Sequence, residues 1–204
     1  MKKISSLLLL LASCFALESS AQKVFYGAGF LVGRTHTVPM TFSGFGNPVK
    51  QSKPVYMYGA GVCLDAQLFP LSDEMSVGFH VEPGLGYVLP FTEGVDDVAL
   101  ILQTPLIAQF NYGNYSSINS TKEVGFGVGL GALTQYHFLL DEPPTNRGKS
   151  FLFLPAVQAS VRFWGRSNSL YVVRLTHAVG TEMHGGFENN RGTSFLSVSR
   201  IINY

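Results

Sequence analysis

The sequence predicts an all-β protein: an eight-stranded antiparallel transmembrane up-and-down β-barrel, preceded by a cleaved signal peptide. Only 13% of its 204 residues are charged, against about 25% in a typical soluble domain. Long segments alternate between apolar side chains and polar side chains or glycine, which is typical of strands with two different faces. After the first 20 residues, no apolar run approaches the ~18 residues of a membrane-spanning helix.

Composition also excludes two other classes of protein. The formal net charge is +1, whereas a nucleic-acid-binding domain carries a basic stripe or a strongly basic isoelectric point. The aromatic content of 13% argues against a disordered chain. We therefore expect no nucleic-acid partner.

The N-terminus has the three parts of an export signal. Lys2 and Lys3 form the positive region, residues 7–12 form a short apolar core, and residues 19–21 (Ser-Ser-Ala) supply the small residues of a cleavage site. We predict cleavage after Ala21. The chain then divides into a signal peptide, residues 1–21, and a barrel domain, residues 22–204.

A competing interpretation places lipidation at Cys14. Residues 11–14 (Leu-Ala-Ser-Cys) resemble a lipobox, in which Cys14 would become the lipid-bearing N-terminus. Cleavage after Ala21 leaves Cys63 as the single cysteine of the mature chain, so no intramolecular disulfide forms. We interpret Cys63 as a small apolar filler.

Alternation defines the strands in chain order. The clearest case is 124–132, where glycine occupies every second position and apolar side chains occupy the others, which excludes an amphipathic helix. The segments 56–68, 77–89, 100–112 and 151–163 show an apolar face opposite a face of polar groups and glycine. The predicted strands are 23–34, 53–69, 75–91, 98–112, 122–138, 150–164, 169–182 and 192–204.

The connections between these strands alternate in length. The longer ones are 35–52, 92–97, 139–149 and 183–191; the short ones are 70–74 and 165–168, with 113–121 intermediate. Outer-membrane barrels combine short periplasmic turns with longer external loops, an even strand number and an apolar exterior around a polar interior.

A soluble lipocalin-like barrel has the same alternation with the apolar face inward. Two features favour the membrane barrel. The polar face is rich in glycine, which suits a narrow lumen holding Arg162 and Arg174, and the strands lack the Lys and Glu of a solvated surface. The chain also ends on Tyr204, with Ile202 and Val198 at alternate positions and Arg200 between them on the same face. We expect Arg200 to snorkel to the interface.

The chain resembles the outer membrane protein β-barrel domain family of Gram-negative bacteria, also labelled porin family and including PorT-like proteins. The resemblance lies in residues 82–87 (Glu-Pro-Gly-Leu-Gly-Tyr), residues 102–107 (Leu-Gln-Thr-Pro-Leu-Ile) with Phe110, and the glycine-alternating run 125–131. It implies a small barrel in the outer membrane, among outer-membrane lipid and lipopolysaccharide, and envelope protein partners. It implies no activity.

A second resemblance concerns one candidate catalytic residue, His177. Residues 174–177 (Arg-Leu-Thr-His), followed by 190–192 (Asn-Arg-Gly), are similar to a pattern of the lipid A deacylases, eight-stranded outer-membrane hydrolases with a serine nucleophile and a histidine base. Here Val179 stands in place of the nucleophile and Ser194 in place of the orienting acid. The triad is absent unless an insertion moves Thr181 and Glu182, or Glu188, into place. We interpret His177 as a residue of the external interface.

The polar faces of the strands predict a network inside the barrel. Its candidate members are Asp65, His80, Glu82, Arg162 and Arg174, and we expect the two carboxylates to neutralise the two arginines. His80 and Glu82 also admit interpretation as a metal or acid–base pair. We favour the polar network and predict no metal site and no cofactor.

Three functions remain open. The favoured one is a non-enzymatic barrel that acts as an envelope scaffold or interaction component through its external loops. The alternatives are a lipid A deacylase-like hydrolase, inactive if Val179 replaces its serine, and a small-solute channel. Eight strands enclose only enough room for side chains, and Met57, Gln67 and Gln158 help to fill it, which argues against a channel.

Overall fold

The computed structural model describes residues 23–39, 55–88, 99–114, 116, 120–139, 150–165, 169–184 and 187–202. The predicted signal peptide, cleavage after Ala21 and the alternative lipidation of Cys14 lie outside these residues. In the described part of the chain, no helix is long and apolar enough to cross a membrane.

All the strands join one antiparallel sheet that closes on itself. β1 pairs with β2 on one side and with β9 on the other, so the first and last strands complete the ring. The strands are β1 (Lys23–Pro39), β2 (Val55–Ser72), β3 (Met75–Val81), β4 (Gly84–Val88), β5 (Ala99–Gly113), β6 (Val124–Leu139), β7 (Ser150–Trp164), β8 (Leu170–His184) and β9 (Phe187–Ile201).

β3 and β4 together form one barrel strand, which is interrupted at Glu82 and Pro83. Proline has no N–H group to donate to the ladder, which explains why the predicted strand 75–91 is broken there. The register nevertheless continues across the break, with Val81 opposite Leu64 and Gly84 opposite Gly61. The predicted eight-stranded barrel is therefore confirmed, with one of its strands in two pieces.

One predicted loop is wrong. Residues 183–191 were expected to form a long connection, but β8 and β9 stay paired as far as His184 and Phe187. β1 likewise extends to Pro39, opposite Asn189. The polar sequence of residues 183–191 indicated a loop, because polarity alone does not distinguish a loop from a hairpin that extends past the apolar belt.

The strand faces agree with the alternation. Phe30, Val62 and Leu130 lie on the outer surface, with exposed fractions of 77%, 57% and 69%. Asp65 and Arg174, on the opposite faces of their strands, are buried in the interior. The apolar face is thus directed outward, which is the membrane arrangement and excludes the soluble barrel.

The interior is less polar than predicted, because apolar layers lie on both sides of a charged layer. One apolar cluster follows β5 to β9, and another lies near the ends of β1, β8 and β9. Their members are Ile107, Leu133, Leu152, Leu154, Ala156, Ala178 and Phe195 in the first and Phe25, Cys63, Leu170, Val172 and Ile201 in the second. Cys63 is buried in the second cluster, as a small apolar filler would be.

Candidate functional sites on the two faces of the barrel wall

The charged layer begins with Asp65 on β2 and His80 on β3, which lie directly opposite each other in the ladder. Nδ1 of His80 lies 2.8 Å from Oδ1 of Asp65, and Nε2 of Gln109 donates to the same oxygen over 3.2 Å. Because an ionised carboxylate only accepts hydrogen bonds, His80 carries its proton on Nδ1 in this arrangement.

Arg174 reaches both carboxylates from β8 on the other side of the lumen. Its Nη2 atom donates to Oδ2 of Asp65, and its Nη1 atom lies 3.9 Å from Oε1 of Glu82. The side chain is 0% exposed. A guanidinium buried in this way is tolerated because the carboxylates compensate its charge.

Glu82 lies at the interruption between β3 and β4 and is held by the last strand. Ser197 Oγ donates to its Oε2 atom over 2.8 Å, and Ser199 Oγ donates to Oε1 over 2.9 Å. Nε2 of His80 lies 3.5 Å from Oε2. Hydrogen bonds to both oxygens and a nearby cation favour the charged carboxylate inside the barrel.

Arg162, a predicted member of the network, does not contact the other charged residues of the lumen. It is buried on β7 with 2% exposure, yet it forms no ion pair with any residue the structure describes. Its Nη1 atom and Oδ1 of Asn111 lack hydrogen-bond partners. Both residues line a cavity of about 10 Å³, close to the size of one water molecule. Arg162 is therefore not in direct contact with Asp65 or Glu82, although the Asp65 carboxylate lies near enough to interact with it electrostatically.

His80 and Glu82, the candidate metal or acid–base pair, lie in contact with Asp65 and Arg174. Within the described ranges, no group of three or more His, Cys, Asp and Glu side chains is arranged to hold a metal ion. The position between the two carboxylates is taken by Arg174. The lumen thus contains a compensated charge cluster.

The other candidate, His177, lies on the outer face of β8 and is exposed. It is directly opposite Ser194 of β9, and its Nδ1 atom lies 2.7 Å from the hydroxyl oxygen of that serine. Val179 is 51% exposed on the same face. The structure therefore gives His177 a hydroxyl partner that the sequence comparison placed in the role of the acid.

Arg34 extends this pair to a third strand. It is the ladder partner of Ser194 across the β1–β9 seam, and it is exposed on the outer face. Among the residues whose side chains the structure describes, which leave out 181–191, it forms no ion pair. Sequence reasoning missed Arg34 because its position opposite Ser194 depends on the pairing of the first and last strands. The alternation that placed Leu196 and Val198 outward was the available signal for Ser194.

Solved structures with the same fold are outer-membrane proteins. Neisserial surface protein A (NspA) matches with a TM-score of 0.54 at 9% identity, covering 90% of this chain and 100% of that one. The outer membrane protein OprG from Pseudomonas aeruginosa matches with a TM-score of 0.51 at 12% identity, covering 87% and 93%. Comparison with family models gives no match, and no curated protein matches the sequence.

The class of protein follows from the fold and its surface together. A closed antiparallel ring satisfies every strand edge, and an apolar exterior around a filled interior is the solution that outer-membrane barrels adopt. The chain is an eight-stranded β-barrel of the outer membrane.

Proposed function

We propose that the protein is a non-enzymatic barrel of the outer membrane that acts as an envelope scaffold or interaction component through its external end. The observation that carries this proposal is the filled lumen. Apolar side chains such as Leu133, Leu154 and Phe195 are at most 1% exposed, and the charged layer closes the interior beside them. A solute finds no continuous path along such an interior.

The external end supports an interaction role. The segments 40–54, 89–98 and 140–149 connect strands at the end of the barrel opposite the short turn at Asp73 and Glu74. In barrels of this kind the longer connections are external. We therefore assign the interaction role to this end of the barrel and not to the filled lumen.

Two measurements test the proposal. Refolded barrel in a planar lipid bilayer should give no stable conductance steps, and a reproducible open channel would contradict the closed scaffold. In cells, replacement of residues 40–54 by a short glycine–serine turn should remove specific envelope crosslinks of the barrel. The same replacement of residues 117–119, at the opposite end, serves as the control. If both variants retain every crosslink, the external end is not the interaction surface.

A second candidate function, lipid hydrolysis, is favoured by the 2.7 Å approach of His177 Nδ1 to the Ser194 hydroxyl. In such a reaction Ser194 Oγ attacks an ester carbonyl while His177 accepts its proton, then returns it to the leaving alkoxide; water releases the acyl group. The backbone N–H groups around Ser194 belong to paired strands, so they offer no free oxyanion donors. For this reason we rank hydrolysis second.

Lipid A mass spectrometry decides this alternative. Cells producing the barrel should show a lipid product that is absent with Ser194→Ala and with His177→Ala. Equal lipid profiles in cells with wild-type barrel, with either variant and without the gene would leave the scaffold as the function.

A further inference from the structure

The barrel wall is split between β7 and β8 at its external end. The ladder between these two strands stops at the pair Ala156–Ala178. Past this pair, residues 150–155 of β7 still pair with β6, and residues 179–184 of β8 still pair with β9. Each of the two segments therefore has one paired edge and one edge that faces the other segment without pairing to it. This gap in the ladder is the β7–β8 split.

Pro155 explains why the ladder stops. At the opposite end of the same ladder, the N–H group of Gly165 donates to the carbonyl oxygen of Ser169 over 2.7 Å, and the register places these two residues opposite each other. Because hydrogen-bonded and non-hydrogen-bonded pairs alternate in an antiparallel ladder, the odd-numbered residues of β7 and β8 bond to each other. The next such pair would be Pro155 and Val179, and proline has no N–H group to donate.

The other edge of β8 is used by β9. Across the seam between β1 and β9, the N–H group of Ile202 donates to the carbonyl oxygen of Tyr26 over 2.9 Å. The odd-numbered residues of β9 therefore face β8, and the register pairs them with the even-numbered residues of β8. Thr181 and Met183 are odd-numbered, so their backbone N–H and C=O groups point into the split. No backbone group in the described ranges bonds to them there.

The split has a closed base and apolar surroundings. At the base, the side chain of Leu154 occupies the space in which a side chain on Gly180 would begin. Phe153 and Val179 are exposed on the outer face, and Ala178 is buried on the inner face. Backbone groups beside apolar surface are costly when they lack a hydrogen-bond partner, and a new donor and acceptor would remove that cost.

We propose that the open edge of β8 binds an extended segment of a second polypeptide, which adds to it as an antiparallel strand. Donors and acceptors recur about every 7 Å along such an edge, and the backbone of another strand matches this spacing, whereas a lipid does not. Directly opposed residues share a face of the sheet, so the residues that bond to β8 direct their side chains outward, beside Val179. The bound segment therefore carries apolar side chains at alternate positions.

This inference rests on the proposed interaction role of the external end, and it gives that role a surface and a class of partner. The two proposals fail separately. An open channel in the planar bilayer would contradict the scaffold, while the edge of β8 would still bind a peptide. An edge that binds no peptide would leave the closed lumen and the crosslinks that depend on residues 40–54 unchanged.

Amide hydrogen exchange of the refolded full chain, followed by NMR in detergent micelles, tests whether the edge is open. The amides of Thr181 and Met183 should exchange at least about tenfold faster than those of Gly180 and Glu182, which face β9. Equal protection of both sets would show that another part of the chain covers the edge, and would overturn the proposal. Protection that appears only at high barrel concentration would assign the edge to a second copy and would also overturn it.

A capped heptapeptide of alternating valine and threonine is the binding probe. It should slow amide exchange at Thr181 and Met183. N-methylation of its valines, whose side chains face outward and whose N–H groups face β8, should weaken binding at least about tenfold. N-methylation of its threonines should change the affinity by less than about twofold. Equal affinities of the two methylated peptides would overturn strand addition at this edge.

Pro155→Val supplies the missing N–H group and is the matched protein variant. It should extend the ladder past Ala156, protect the amide of Thr181 and abolish peptide binding. Pro83→Val is the control, because Pro83 lies at the other interruption of the wall, between β3 and β4. Heat-modifiable gel mobility verifies that both variants are folded. Peptide binding that survives in Pro155→Val, or that is lost equally in Pro83→Val, would overturn the proposal.

Discussion

The two polar clusters of this barrel lie on opposite faces of the same strands and differ in how their charges are compensated. Inside, Arg174 and His80 lie among the carboxylates of Asp65 and Glu82. Outside, Arg34 lies beside a serine and a histidine, and no carboxylate pairs with it among the side chains described outside residues 181–191.

This difference predicts different contributions of the two clusters to stability. Inside, Ser197, Ser199 and Gln109 donate further hydrogen bonds to the carboxylates that Arg174 reaches. Outside, Arg34 and His177 are exposed on the barrel surface. Changes inside should therefore lower the free energy of unfolding far more than changes outside.

The largest effect is expected from Arg174→Met. It leaves the carboxylates of Asp65 and Glu82 buried without their shared cation, and breaking a buried pair in this way costs about 3–5 kcal/mol. Urea unfolding of the refolded barrel measures this loss. The matched change on the outer face, Arg34→Met, should alter stability by less than about 1 kcal/mol. Equal losses would contradict the distinction between the two clusters.

A smaller loss is expected from Glu82→Gln, which removes one charge but keeps an acceptor for a serine hydroxyl. We expect about 1–3 kcal/mol, the cost of weakened hydrogen bonds to a buried group. The exposed Glu123 provides the control, since Glu123→Gln changes the same charge in water. Thermal unfolding of both variants at one pH measures the difference. If the control loses as much, net charge and not burial is the cause.

The two faces of β6 provide a third comparison. A Cβ atom on Gly125 would meet backbone atoms of Asn114, which cannot move aside as the end of a flexible side chain can. Gly125→Ala should therefore cost about 1–2 kcal/mol by overpacking. Val128→Ala, on the lipid-facing side of the same strand, should cost less in urea unfolding. The reverse order would indicate that the inner face of β6 has room to adjust.

The smallest change in stability is expected from Arg162→Met. This buried cation forms no direct ion pair with a side chain that the structure describes, so its replacement by an apolar side chain of similar length removes a buried charge that no carboxylate contacts. The free energy of unfolding should change by less than about 1 kcal/mol, or increase. A loss as large as that of Arg174→Met would show that Arg162 has a charged partner after all.

The sequence predicted the fold and the faces of the strands, because both depend on a two-residue period that each strand carries by itself. It did not reveal the break at Glu82 and Pro83, since the register continues through it and the alternation is undisturbed. It also failed to separate Arg162 from Arg174. Strand phase gives the face of a residue, but its reach to a carboxylate depends on the stagger between strands.

The placement of Arg34 beside Ser194 also depends on the pairing between strands, which the sequence of a single strand does not give. Arg34 and Ser194 are far apart in the chain and meet only across the seam that closes the barrel. The resemblance to lipid A deacylases drew attention to His177 and to the valine at position 179, where the deacylase pattern has serine. The local spacing gave no partner for the histidine. The hydroxyl came from the strand opposite.

The interior cluster also links residues from the first strands of the barrel to residues from its last strands, so it is complete only when both are in place. Asp65 and Glu82 enter early, whereas their donors Arg174, Ser197 and Ser199 lie 109, 115 and 117 residues later. Until the last two strands are added, Glu82 lacks its serine donors, both carboxylates lack Arg174, and β1 has an unpaired edge, which is costly in a lipid environment. Closure of the sheet without the last two strands is therefore unfavourable. A chain truncated before them would retain buried carboxylates without their donors.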